Sequence, residues 1–290
     1  MEILTPPSKI LENFETQLRE HFPPGYFTGY SSLIFFDIDG CLTDGKNQSF
    51  DLENLQQLRD WLNSHPQVML AFCTARGSGY VEVVQQVLGI AEKKGVIICE
   101  NGNTINAFGQ NKEIYAGHID RDTLKQEIET SGVNLEVEHG KTHILTLKAP
   151  QEIIEQGKEA EVAHVQNQYS CVNNLLKDRY QITLGRDSIE ITPKGVSKRS
   201  AIETLAKATG NFGGIPEVLG TDDADDSWLR SQVLSGIFIP RNANEAVKAT
   251  LQERLTQGQS ACLQAVGGKT LGGVLEALQQ LETTHGHFSL

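Results

Sequence analysis

Two acids two residues apart, Asp37 and Asp39, stand immediately after the four apolar residues Leu33 to Phe36 in the stretch LIFFDIDGCLTD. If the extended backbone persists through Asp39, residues i and i+2 project to the same side, so the two carboxylates would share one space. Gly40 then frees the chain to turn. Acids just past the carboxyl end of a buried strand are costly as packing but well placed as a site, because open α/β sheets bind ligands there. A DxD pair alone fits a capped or solvated loop equally well.

Further groups suited to an anion or a cation recur downstream. Thr74 ends the apolar run VMLAFC and precedes the glycine turn ARGSG. Its hydroxyl and the amides of that turn could hold a phosphoryl oxygen, although a helix cap explains Thr74 alone just as simply. Ser197 fits a helix N-cap, which puts Lys198 in the first turn, where an ammonium needs a negative neighbour. Lys194, four residues earlier, competes with it and reads as a solvated loop residue. Asp222, Asp223, Asp225 and Asp226 crowd one five-residue loop. An acidic run is commonly a solvated face, but at a strand end mutual repulsion would be relieved by a divalent cation, and hard oxygen ligands suit Mg²⁺. The 8 histidines show no metal-ligand spacing, and no GxSxG nucleophile elbow occurs.

The elements that must position these groups follow from periodicity. Leu33–Phe36, Val68–Cys73 and GVIIC at 95–99 read as strands buried on both faces. Helical spacing separates them, at Leu52, Leu55, Leu58 and Leu62, then at Val83, Val84, Val87 and Leu88. That alternation predicts a parallel sheet. From about 105 to 190 the texture changes to short alternating strands around a helix near 152–177, an α+β module set into the α/β frame. The frame resumes with a helix from 197, a strand at 215–219, a strand GIFIP and two closing helices. Residues 1–30, with Ile10, Leu11, Phe14 and Leu18 at helical spacing, read as an extension carrying a packing helix. The expected division is therefore 1–30, a core from 31–105 and 191–290, and an insertion at 106–190.

Composition excludes several classes. With 25 Lys and Arg against 37 Asp and Glu, the net charge of −12 opposes nucleic-acid or anionic-membrane binding by general electrostatics. Five cysteines, an odd number without a CxxC pair, fit reduced, buried thiols. The start, MEILTPPSKILENF, has no signal-peptide pattern, and no segment reaches the ~18 apolar residues of a membrane span, so a cytoplasmic protein is expected.

The order DIDG, a strand ending in Thr, a lysine and then DDADD resembles the haloacid dehalogenase superfamily of phosphatases across roughly residues 30–285. ENGNTI, IEITPKGVSK and GGVLEAL are similar to the sucrose-phosphate and mannosyl-3-phosphoglycerate phosphatase branch, and LGTDDADD to trehalose-phosphate phosphatases. The resemblance implies a Rossmann-like parallel-sheet core with an inserted C2-type cap, and a Mg²⁺-dependent phosphomonoesterase acting on a phosphorylated sugar or glycoside.

By position it implies Asp37 as nucleophile and Asp39 as the acid that protonates the leaving alkoxide and then activates water. Thr74 and Lys198 would hold phosphoryl oxygens. Asp222 would bind Mg²⁺ with the Asp37 carboxylate and the Asp39 carbonyl, supported from behind by Asp226 and Asp223. Arg76, Glu100 and Asn101, with the cap residues His139, Lys141 and His143, are candidate substrate contacts. Thr221, Asp225 and Arg199 depart from the family pattern, and Arg199 on the cap side would bear on substrate choice. A phosphosugar mutase using the same aspartyl-phosphate, and a sugar-phosphate-binding subunit without catalysis, are the alternatives.

Overall fold

The apolar runs form the centre of one large sheet. The computed structural model describes residues 6–44, 49–110, 113–185 and 187–288. The chain begins with α1 (Pro7–His21), β1 (Ser32–Phe36), α2 (Leu52–Ser64), β2 (Val68–Cys73), α3 (Ser78–Leu88) and β3 (Gly95–Cys99). It continues through β4 (Thr104–Ala107), β5 (Ile114–Tyr115), α4 (Arg121–Thr130), β6 (Glu136–Val137) and β7 (Leu145–Lys148). Then come α5 (Gln151–Ile154), α6 (Lys158–Leu176), β8 (Tyr180–Leu184), β9 (Ile189–Pro193), α7 (Lys198–Ala208) and α8 (Gly210–Gly214). The last elements are β10 (Glu217–Thr221), α9 (Asp226–Leu229), β11 (Gly236–Ile239), α10 (Glu245–Thr256), β12 (Cys262–Gln264) and α11 (Thr270–His285).

The large sheet has the order β12-β11-β10-β1-β2-β3-β4-β5 and is parallel from β12 to β3. Every residue of β1, β2 and β3 is buried, as continuous apolar strands covered on both faces should be. Leu33 and Phe35 pack on one face with Phe14, Leu205 and Trp228, while Ile34 and Phe36 pack on the other with Leu58, Val84 and Leu278. β1 lies between β10 and β2, so the chain departs to opposite sides at the β1/β10 boundary. Such a switch point opens a crevice at the carboxyl ends of the strands, and Asp37 lies there.

An antiparallel sheet of order β6-β7-β9-β8 has its own core, including Leu124, Leu145, Val165, Leu176 and Ile191. The transition into it differs from the expected boundary at 106. β4 and β5 extend the large sheet antiparallel to β3, and β9 runs to Pro193. The helix expected over 152–177 is interrupted at Gly157, which has φ 109, leaving α5 and α6. Between the two closing helices a strand, β12, was not expected. Residues of the N-terminal extension contribute to the main core: Phe14 and Leu18 of α1 are fully buried, each worth about 1.5–3 kcal/mol of transfer free energy. Among the described residues no helix is long and apolar enough to cross a membrane.

Candidate active site

Asp37 continues β1 by one residue, its amide donating to the Thr221 carbonyl of β10 at 2.9 Å. The side chain is buried and meets Lys198, whose Nζ donates to Asp37 Oδ1 at 3.1 Å and to Asp222 Oδ2 at 2.9 Å. Lys198 reaches this place because Ser197 caps α7, in a reciprocal capping box with Ser200. Lys194 remains in the preceding turn.

The acidic loop is ordered by its own backbone. Asp222 Oδ1 accepts from the Ala224 and Asp225 amides at 2.8 and 2.9 Å, and Oδ2 accepts from the Trp228 indole at 2.7 Å. Carboxylate oxygens of Asp37, Asp222 and Asp223 all lie within 4.8 Å of one another. Asp223 comes this close because Gly40, with φ 85, has no Cβ to displace it; a Cβ there would be 2.2 Å from the Asp223 carboxyl carbon. Asn242 also donates to Asp223 Oδ2 at 3.2 Å and to the Gly40 carbonyl at 3.2 Å.

Burial pushes the Asp37 carboxyl well above its ordinary value, opposed by the Lys198 ammonium and reinforced by Asp222 and Asp39. Burial alone would lower Lys198, but the Asp222 and Asp37 charges outweigh it and hold the ammonium well up. Three clustered carboxylates against one ammonium leave surplus negative charge in a dry place. A hard divalent cation relieves that condition, and an all-oxygen donor set fits Mg²⁺.

Other residues singled out in the sequence take more specific places. Thr74 is fully buried beyond β2 and does not cap α3, whose N-cap is Gly77; its Oγ1 accepts from the Arg76 amide at 3.2 Å. Arg76 lies on the side chain of Asp39, with Nε to Oδ2 at 2.7 Å and Nη2 to Oδ1 at 2.9 Å. The guanidinium is also 5.0 Å from the Tyr80 ring centroid.

Glu100 is not open to a substrate. Its carboxylate accepts from the amides of Thr142, His143 and Ile144 at 2.7, 2.9 and 3.1 Å, binding the approach to β7 onto the end of β3. Asn101, with φ 54, donates its amide to the Thr74 carbonyl at 3.2 Å. Lys141 is likewise committed, to Thr146 at 2.6 Å and to both Glu190 oxygens at 3.1 Å. His143 stacks on Tyr115 at 4.4 Å, and His139 is exposed.

Asp226 does not stand behind the acidic cluster. It accepts from Arg230 at 2.8 Å and Thr250 at 3.2 Å, which anchors α9 instead. Arg199 is held on the surface by Glu203 at 2.8 Å. Asp225 caps α9 through the Ser227 amide at 3.0 Å.

Gly102 couples these parts. It has φ 90, and a Cβ there would meet the Ser197 carbonyl oxygen at 2.2 Å and the Lys198 amide nitrogen at 2.8 Å. Gly102→Ala should therefore destabilise the protein by at least about 1–3 kcal/mol through backbone strain and displace the start of α7. Thermal melting together with turnover would check this, and unchanged values for both would refute the close approach.

Concavity alone does not mark this place. A cavity of about 360 Å³ lined by Leu62, Val68, Ile90, Lys94 and Phe108 lies by the amino ends of β2 and β3, away from the acids.

A doubly wound sheet with an acid at the tip of its switch-point strand, a buried lysine and an acidic loop on the next strand defines a class of α/β enzyme that handles anionic groups. Residues 34–180 match the haloacid dehalogenase-like hydrolase family, half of the chain, and the protein belongs to that family. No curated protein matches the sequence. Among solved structures, a haloacid dehalogenase-like hydrolase from Bacteroides thetaiotaomicron aligns with TM-score 0.61 at 15% identity, over 87% of this chain and 99% of that one. The sucrose-phosphatase from Synechocystis sp., solved with sucrose and phosphate, aligns with TM-score 0.55 at 16% identity, over 87% and 98%. A Thermotoga maritima protein aligns with TM-score 0.59 at 15% identity, over 88% and 98%. At these identities the likeness shows the fold.

Proposed function

We propose that the protein is a Mg²⁺-dependent phosphomonoesterase that hydrolyses a phosphorylated sugar or glycoside through an aspartyl-phosphate. The observation that carries this reading is the buried Asp37 carboxylate held by Lys198 beside Asp222 and Asp223. The family supports hydrolysis. The sugar is supported by the motifs ENGNTI and IEITPKGVSK and by the fold shared with the sucrose-phosphatase.

Asp37 and Asp222, with Asp223 beside them, would hold the cation; bound there, it would neutralise phosphoryl oxygens and orient the phosphorus toward Asp37. An Asp37 oxygen attacks phosphorus, the bond from phosphorus to the sugar oxygen breaks, and the leaving alkoxide takes a proton from Asp39. Asp39 next removes a proton from water, whose oxygen attacks phosphorus. The bond to Asp37 then breaks, restoring the carboxylate and releasing inorganic phosphate. Splitting one hard displacement in two is the advantage of a carboxylate nucleophile. Lys198 and the Thr74 hydroxyl hold phosphoryl oxygens as charge redistributes. Arg76 donates to one position on each Asp39 oxygen, so the proton would occupy a position that the guanidinium leaves open.

The unit built on β6 to β9, which ends at Pro193, acts as a cap that excludes water and sets specificity. Its approach over Gly77 is close: a Cβ there would be 2.4 Å from the Gly140 carbonyl oxygen. Four buried free cysteines fit work in the reducing cytoplasm.

The test is phosphate release from sucrose-, trehalose-, glucosylglycerol-, glycosylglycerate- and simple hexose-phosphates, with Mg²⁺ or with chelator. Metal-dependent turnover of one class far above the rest is expected. Folded protein that releases no phosphate from any of them would overturn the proposal.

A further inference from the structure

Trp228 is neither an acid nor a base, and the reaction outlined above makes no use of it. It is nevertheless buried in full and donates from Nε1 to Asp222 Oδ2 at 2.7 Å. A carboxylate offers about four acceptor positions, and in Asp222 all four are filled. The Ala224 and Asp225 amides take Oδ1, and the indole and the Lys198 ammonium take Oδ2.

These donors differ in freedom. The two amides belong to the turn that defines the loop. The indole is packed over Gly220, where even a Cβ would lie 2.8 Å from the ring, so it has nowhere to swing. Lys198 alone sits on a flexible four-carbon stem, 5.9 Å above the same indole.

We propose that Trp228 is a positioning residue for the cation site: with the two amides it fixes the Asp222 carboxylate so that the one position it can release is the position Lys198 fills. A cation reaching Asp222 therefore displaces Lys198, which is freed toward the phosphoryl group. An indole suits the task because it donates without adding charge and cannot itself ligate a metal. The inference rests on the Mg²⁺ reading given above. Donors behind a metal ligand orient it, and their loss typically costs about 10–100-fold in metal affinity.

The test compares the wild type with Trp228→Phe, which keeps an aromatic ring over Gly220 and removes only the N–H and part of the bulk. Without substrate, Mg²⁺ binding is followed by calorimetry and read as the Mg²⁺ concentration that half-saturates the folded protein. That concentration should rise about 10-fold or more in the variant. Lost packing alone would lower the melting temperature without Mg²⁺ and leave the half-saturation point in place, which would overturn the proposal.

A second measurement leaves Trp228 intact. In a Trp61→Phe background it is the remaining tryptophan, and its emission should change as Mg²⁺ is added, saturating together with the calorimetric signal. Emission blind to saturating Mg²⁺ would overturn the proposal. A wild type that binds no Mg²⁺ at all would remove the metal-dependent reading and this inference with it, whereas equal binding by wild type and Trp228→Phe would remove the inference alone.

Discussion

Asp37→Asn is expected to abolish turnover and, in the absence of Mg²⁺, to melt at a higher temperature than the wild type at neutral pH. On the proposed mechanism the first effect follows from losing the attacking oxygen: removal of a nucleophile typically costs about 10⁴-fold or more in kcat. The second follows from where Asp37 sits. Its unfolded carboxyl titrates near 3.8, and burial holds the folded value well above that.

Between those two values the folded state binds more protons than the unfolded state, so stability falls as pH rises. Above the folded value the deficit is complete and constant. Asparagine has no such titration and can still accept from Lys198. The melting-temperature gap between variant and wild type should therefore widen as pH climbs from about 4, for as long as the folded carboxyl still binds its proton. Melting curves in chelator from about pH 4 to about pH 8 would show it. A variant that melts below the wild type throughout would mean that Asp37 carries no surplus charge.

The framework of the site was legible because its signals are local. Four apolar residues followed by DIDG, six followed by Thr74, and Ser197 before Lys198 are each a strand end or a helix cap written in adjacent residues. β4, β5 and β12 were less legible for physical reasons. β5 has two residues and β12 has three, too few for a period, and their pairing is decided by neighbours distant in sequence. In the acidic loop, composition could not rank five-residue neighbours. The turn in which Asp222 accepts two following amides sends Asp223 toward Asp37 and Asp226 toward Arg230. Arg76 on Asp39, Glu100 on the amides of 142–144 and Trp228 on Asp222 join segments 37, 42 and 6 residues apart. Only the last is near enough to have left a trace, and a lone tryptophan after acids reads first as core.

Lys198→Met tests the balance of charge from the opposite side. The ammonium is buried and contacts both Asp37 and Asp222, so removing it leaves carboxylates facing one another without a cation. Breaking a buried pair in this way typically costs about 3–5 kcal/mol. Lys198 titrates well above 10.5 in the folded state, so its contribution is present below that value and is lost only as pH rises through the folded one. Removing the ammonium also removes the charge that lowers Asp37, so the stability deficit of Lys198→Met should grow as pH rises and the Asp37 carboxyl ionises, and shrink in acid.

Because Lys198 and a divalent cation would answer the same surplus charge, Mg²⁺ should restore much of the lost stability. Binding at 100 times the dissociation constant is worth about 2.7 kcal/mol, and the variant should gain more from added Mg²⁺ than the wild type does. Activity should not return with it, since on the proposed mechanism Lys198 is a donor to the phosphoryl oxygens; a loss of about 10²–10³-fold in kcat is expected at saturating metal. Melting temperature and turnover measured along one Mg²⁺ titration separate the two roles. If Mg²⁺ raised the melting temperature of Lys198→Met no more than that of the wild type, lysine and cation would not be balancing the same carboxylates.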